Sequence, residues 1–372
     1  MSRAARSIPP KEILSVKRFL SSCARLPRVV FSFGIAAVLT SLAVPAHAVT
    51  IDWVTVGDPG NAADTAPAGF GAVSTSFQIM KYEFTNQQYT EFLNSVDASG
   101  TNPNSVYNAD MGNSASNRGG ISFTSGAASG SKYAVRTNFG NKPVNWVNWF
   151  DAARVSNWLM NGATGTSSTE TGAYTLNNET SGNAPAVNPG ATIYIPTENE
   201  WYKAAYYKGG STNAGYWNYA TRSNTAPTKV TATTVGTGTS GGVSPVTTGN
   251  FANFSQGANW NSQPGNVTTV GTNGGASAYG AFDMSGNLLE WNDLTGAVGS
   301  SRGLRGGDWF NVSAGNLSSS DGFTTDPALD NFGYIGFRLA SPVAVPEPST
   351  YAMALAGLAC GGFVVFRRRR AR

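Results

Sequence analysis

The chain has 372 residues, with a single histidine and two cysteines. Cys23, His47 and Cys360 all lie near the ends, so the body at 49–348 has no thiol and no imidazole. This excludes disulfides, thiol catalysis and histidine catalysis from the body. The formal charge of the whole chain is +4, but the body holds 13 basic and 20 acidic residues, a charge of −7 that does not favour nucleic acid as a partner.

The N-terminal segment has the layout of a secretory signal. A basic stretch precedes the apolar run Val29–Val44, and Ala46-His47-Ala48 supplies small residues where a signal peptidase would cut. A membrane anchor is the alternative, although the run is short for a span. We therefore predict a signal peptide at 1–48 that leaves during export.

The body alternates a few regular elements with long loops rich in Gly, Ser, Thr and Asn. Helical spacing of apolar residues, strand composition and capping residues predict the elements in chain order. These are a strand at Phe77–Tyr82 and helices at Asn86–Val96, Trp149–Met160 and Thr197–Tyr206, followed beyond Gly280 by short strands and turns. The pattern predicts one irregular domain of the α+β class at 49–341.

The C-terminal segment is predicted to be a second export signal. Pro346, Glu347 and Pro348 lie in a linker at 342–350, before the apolar run Tyr351–Phe366 and a basic tail at 367–372. By the positive-inside rule this is a transmembrane anchor with a cytoplasmic end. The order also resembles the PEP-CTERM sorting signal. That resemblance implies export to the cell envelope, processing by an exosortase-type enzyme and a link to extracellular polysaccharide.

Six segments in order resemble the sulfatase-modifying-factor domain, the domain of the formylglycine-generating enzyme. They lie at 77–89, 143–159, 195–205, 283–291, 305–309 and 336–338, spread along most of the body. The resemblance implies a variant of the C-type lectin fold over residues 51–341.

The acidic pair in the third predicted helix favours a structural role. Glu198 and Glu200 are two residues apart on a helix and point in different directions. Thr197 and Glu200 fit a capping box, and acids are favourable at a helix N-terminus. A glycosidase with two carboxylates is the alternative, without other support in the sequence.

A turn near Gly286 is the candidate metal site. Asp283 and Glu290 flank a Gly-Asn turn, and carboxylates combined with carbonyl oxygens suit calcium. The resemblance implies the same ion, with the carbonyls of Gly286 and Leu288 completing the set. A solvated turn without metal is the alternative.

A second calcium site of the family is only half matched. The resemblance places Asn253 and the carbonyl of Phe254 in it. No acidic residue follows at 255–275, where the carboxylate partner would lie.

The sequence differs from the family at the copper site. The resemblance places its two copper-binding cysteines at Asn311 and Asn316. Asparagine supplies no thiolate for soft copper(I), so neither copper binding nor formylglycine formation is expected. The missing histidines and the absence of a base for a serine nucleophile leave no catalytic residue to assign.

Three functions remain open from the sequence. The first is a non-catalytic, envelope-anchored module that binds glycan or protein, with aromatic and amide residues in the loops at Tyr216–Tyr219 and Trp260-Asn261. Core packing is the alternative for each of those rings. The second is an enzyme, of the formylglycine-generating type or with altered chemistry. The third is a structural component of the matrix.

Overall fold

The computed structural model describes residues 49–67, 69–330 and 332–342. The predicted signal peptide, the Pro-Glu-Pro motif, the apolar run at 351–366 and the basic tail lie outside the described residues. Among the residues that are described, no helix is both long enough and apolar enough to span a bilayer.

Three α-helices form as the sequence predicts. They are α1 (Asn86–Val96), α2 (Trp149–Met160) and α3 (Glu198–Tyr206). All three begin with a capping box. The N-cap side chain accepts a hydrogen bond from the backbone N–H of the third helical residue, and the side chain of that residue accepts one from the backbone N–H of the N-cap. The predicted pair of Thr197 and Glu200 is confirmed, with Thr197 as the N-cap, one position before the first helical residue.

The strands are short and fall into several small sheets. In chain order they are β1 (Trp53–Val56), β2 (Phe77–Met80), β3 (Ile121–Phe123), β4 (Tyr133–Val135), β5 (Thr228–Lys229), β6 (Thr231–Ala232), β7 (Gly238–Thr239), β8 (Phe251–Ala252), β9 (Leu289–Asn292), β10 (Arg302–Arg305), β11 (Phe323–Thr325), β12 (Ile335–Gly336) and β13 (Ala340–Ser341). The strand predicted at Phe77–Tyr82 ends two residues earlier, at Met80.

Two sheets organise the domain. One has the order β1-β2-β13, and its strands are antiparallel, which brings the two ends of the domain together. The other has the order β11-β10-β9-β12, in which β12 runs parallel to β9. The remaining strands form two-stranded ribbons within the long loops. Small sheets with few helices and long loops make this an irregular α+β fold.

Aromatic side chains fill the core. Trp149 and Trp158 of α2, Trp201 of α3 and Trp291 of β9 are each almost completely buried. Phe92 of α1 packs edge-on against Trp158 at 5.4 Å between ring centroids. Large buried rings contribute more apolar area per residue than aliphatic side chains do, so packing supports the body without disulfides.

Candidate functional site

A buried ion pair lies where β9 meets the end of β12. Arg338 donates from Nε and Nη2 to the two oxygens of Glu290, each at 2.6 Å, and neither side chain is exposed. The indole of Trp201 donates to Glu290 Oε2 at 2.8 Å. Parallel pairing of Gly336 with Glu290 sets the register that brings the two charges together. Both carboxylate oxygens of Glu290 are thus already bonded to protein.

Two further carboxylates surround this pair, and we call Arg338, Glu290, Glu83 and Asp283 the Arg338 cluster. Glu83 accepts from the side chain of Asn287 at 2.7 Å and from the backbone of Leu288 at 3.1 Å. Burial, with the charges of Asp283 and Glu290, raises the pKa of Glu83 well above its usual value. Three carboxylates accompany one guanidinium, so the cluster has an excess of negative charge, which favours a bound proton on Glu83.

Two of the predicted calcium residues, Asp283 and Glu290, belong to this cluster. Asp283 accepts from the side chain of Asn273 at 2.9 Å, and burial raises the pKa of its carboxyl. Gly286 has φ of +89°, and a Cβ there would lie 2.5 Å from the carbonyl oxygen of Asn253. The turn therefore requires glycine. The set of Asp283, Glu290 and the carbonyls of Gly286 and Leu288 remains a prediction.

Other metal ligands are sparse in the part of the chain that the structure describes. No three Asp, Glu, His or Cys side chains there form a group that could hold a metal ion. A site with two carboxylates depends on carbonyl and water oxygens for the rest of its coordination, which calcium tolerates.

Glu83 is the functional candidate that sequence reasoning missed. It lies in one of the six segments that carry the family resemblance, Phe77–Tyr89, but no role was assigned to it. Its contact with Leu288 spans 205 positions of the chain, so periodicity and local spacing could not reveal it. The only signal in the sequence is an acid within an otherwise apolar and amide-rich strand and helix start.

The half-matched second site is enclosed by amides. The Asn253 side chain is fully buried and donates to the carbonyl of Asn266 at 2.9 Å and to Asn287 Oδ1 at 3.1 Å. The carbonyl of Phe254 accepts from Gly257 at 3.0 Å. The second calcium site remains a prediction that rests on the resemblance alone.

Asn311 and Asn316 lie in a surface loop at 308–316, which we call the Asn311 loop. Asn311 donates from its side chain to Asp308 at 2.7 Å, and Asn316 donates to Asp321 at 3.2 Å. Their amides are therefore held by carboxylates. Amide oxygen and nitrogen are poor ligands for copper(I), so the residues present do not fit the copper of the family.

The loop also exposes apolar surface and one titratable carboxyl. Phe310 is 47% and Val312 is 79% exposed. Asp308 is buried, and this burial raises its pKa to about 6, although the backbone N–H groups of Phe310 and Asn311 favour its ionised form.

The aromatic loops predicted to bind sugar are largely structural. Tyr219 and Trp260 are buried, and the Trp260 indole donates to the carbonyl of Val267 at 2.8 Å. Tyr216 packs at a tilt against Tyr202 and edge-on against Tyr207. Core packing is therefore the role of most of these rings, and the structure does not bring them together as one exposed platform.

Comparison with known structures finds similar chains of low identity. Treponema denticola variable protein 1 is 18% identical, with 80% of this chain and 97% of that one covered and a TM-score of 0.46. CarF is 20% identical, with 79% and 99% covered and a TM-score of 0.42. PvdO from Pseudomonas aeruginosa is 16% identical, with 79% and 93% covered and a TM-score of 0.36. Likeness at this level carries no information on activity.

Comparison with family models covers almost all of the chain after residue 50. No curated protein sequence matches the chain significantly. Residues 344–370 match the PEP-CTERM protein-sorting motif, which implies export to the cell envelope and processing by an exosortase. Residues 51–343 match the model described as sulfatase-modifying factor enzyme 1-like domain, and the chain belongs to that family.

Proposed function

We propose that this exported protein is a non-catalytic member of its family that binds glycan or protein at the cell surface or in extracellular polysaccharide. The observation that supports the loss of oxidase chemistry is the hydrogen bonding of Asn311 and Asn316. Each amide is held by a neighbouring carboxylate where the family resemblance places a copper-binding thiol.

Calcium belongs to this proposal as a structural ion. The Arg338 cluster carries more carboxylates than cations, and the carbonyls of Gly286 and Leu288 are candidate further oxygen ligands. An ion there would join the strand that holds Glu290 to the turn that holds Asp283. It would stabilise the fold without taking part in chemistry.

An oxygen-uptake assay with copper and a cysteine-containing peptide tests the loss of catalysis. We expect no copper-dependent uptake by the natural protein. The Asn311→Cys/Asn316→Cys double variant is the matched comparison, because it restores two thiols and we expect it to bind copper(I). Oxygen uptake by the natural protein would overturn the proposal in favour of an oxidase.

A binding screen tests the other half. The full chain, exported with its own signals, is probed against glycan arrays and fractions of extracellular matrix. We expect retention by at least one polysaccharide fraction or surface protein. Absence of binding to every fraction would contradict a binding role and favour a structural component of the matrix.

A further inference from the structure

Three adjoining cavities form a groove beside the start of α1. Their volumes are about 570, 260 and 240 Å³, and the largest shares Thr50, Tyr82, Thr85 and Gln88 with one neighbour and Asn141 and Thr269 with the other. We call this continuous depression the Tyr82 groove. The largest cavity alone is in the size range of small-molecule sites, and the three together suit an extended ligand rather than a compact one.

The walls of the groove carry the side chains that recognise hydroxyl-rich ligands. Asn141 is exposed, and its amide has no hydrogen-bond partner among the described residues. Gln87 donates to Glu91 at 2.9 Å, an orientation that leaves the second oxygen of Glu91 free to accept from a ligand. Amides and carboxylates are planar groups that pair well with adjacent hydroxyls.

Tyr82 provides an aromatic surface that is fixed in place. Its ring stacks on Phe282 at 5.6 Å between centroids. Gly271 lies against its edge, where an added Cβ would come within 2.6 Å of the ring. The hydroxyl of Tyr82 has no partner among the residues that the structure describes. A ring held by packing loses little entropy when a ligand stacks on it.

The charge balance of the groove indicates the class of ligand. Lys142 is buried, and its ammonium donates to the Val235 carbonyl at 2.9 Å and to Thr269 Oγ1 at 3.1 Å. This cation is therefore committed to the protein. The more accessible charges near the groove are the carboxylates of Asp52 and Glu91 and the ammonium of Lys81, which lies 5.2 Å from the centroid of the Tyr82 ring. The two carboxylates outnumber this cation and disfavour a polyanion.

We propose that the Tyr82 groove binds an extended, uncharged polysaccharide chain. One sugar ring stacks on Tyr82, and hydroxyls of the same or the next ring bond to Asn141 and Glu91. The inference rests on the proposed binding function and specifies its glycan form. It places that function in a groove that neither the family's copper position nor the predicted aromatic loops include.

Calorimetric titration of the full chain with neutral hexasaccharides tests the assignment. The probes are β-1,4-linked glucose, β-1,4-linked mannose and β-1,3-linked glucose oligomers, with a uronic acid hexamer as the anionic probe. We expect at least one neutral hexamer to bind, and Tyr82→Ala to weaken it about tenfold. Tyr82→Phe keeps the ring, so we expect its affinity to stay within about threefold.

Two surface variants keep the test valid if Tyr82→Ala does not fold. Asn141→Ala and Glu91→Gln remove a ligand contact without opening the core, and we expect each to weaken binding about threefold or more. Phe310→Ala is the control, since it removes an exposed ring outside the groove. We expect it to bind like the natural protein.

The outcomes separate the groove from the proposed function. If every groove variant binds as tightly as the natural protein, the assignment of the glycan site to the Tyr82 groove is wrong, but the proposed binding function is not contradicted. Loss of binding in Phe310→Ala alone overturns that assignment in favour of the Asn311 loop. Tighter binding of the uronic acid hexamer overturns the class of ligand. No binding of any glycan, together with a negative matrix screen, overturns both proposals.

Discussion

The Arg338 cluster and the Asn311 loop differ in how strongly their polar groups depend on protein partners. The ion pair of Arg338 and Glu290 is completely buried, and each carboxylate of the cluster has protein donors. In the loop, Val312 is 79% exposed and the side chains of Asn311 and Asn316 are half-buried, although Asp308 at its start is buried. A lost partner in the cluster leaves a buried charge, whereas a lost partner in the loop can be replaced by solvent.

The largest expected effect is the loss of the cation in the cluster. Arg338→Met leaves the carboxylates of Glu83, Asp283 and Glu290 without their guanidinium, and we expect the free energy of unfolding to fall by about 3–5 kcal/mol. Urea unfolding followed by tryptophan fluorescence measures it. Arg222→Met is the control, because Arg222 is exposed and forms no ion pair among the described residues. Equal stability of the two variants would remove the contrast between the regions.

Calcium addition tests whether the Arg338 cluster binds the predicted ion. At a concentration one hundredfold above its Kd, calcium is expected to raise the free energy of unfolding by about 2.7 kcal/mol. Asp283→Asn removes one ligand charge and should abolish most of this gain, whereas Asp52→Asn, at an exposed position, should keep it. Thermal unfolding with calcium or magnesium measures the effect. An unchanged melting temperature of the natural protein with calcium would rule out the ion.

The pH dependence of stability tests whether the carboxyl of Asp308 in the Asn311 loop is buried. The folded-state pKa of Asp308 is raised to about 6, so the folded state holds the proton more tightly than the unfolded state. Stability should therefore fall as the pH rises from about 4 to about 6, by about 3 kcal/mol from this group, and stay level above that range.

Asp308→Asn isolates this contribution. The buried carboxyls of Asp151 and Asp293, with pKa raised to about 7 by burial, add a fall of the same sign, so the difference between the natural and variant curves is the quantity of interest. Urea unfolding at pH 4.5 and pH 7 provides it. Parallel curves would mean that the Asp308 carboxyl reaches water.

The smallest expected effect is at a helix cap. Thr197 accepts from the backbone of Glu200 at 3.3 Å and begins the helix that carries Trp201 to Glu290. Thr197→Ala should cost about 1 kcal/mol of stability, measured by urea unfolding, while Thr197→Ser should be close to neutral. A loss as large as that of Arg338→Met would show that the cap and the cluster act as one unit.

Local signals determined a good part of this structure. The N-caps of the three helices are Thr85, Asn148 and Thr197, and the first and third follow from the sequence because a capping box involves residues only three apart. The missing thiols at Asn311 and Asn316 are likewise a matter of residue identity. The family follows from six motifs in order, and its model covers 51–343.

Contacts between distant segments were decided only by the tertiary structure. Glu83 accepts hydrogen bonds from Asn287 and Leu288 across about two hundred positions, and the Tyr82 groove draws on residues from Thr50 to Val270. For Tyr219 and Trp260 the sequence left ligand binding and core packing open, and the structure buries both rings. Periodicity and caps report the chain within a few turns, whereas burial and charge pairing depend on which segments pack together, and that choice is made by the whole core.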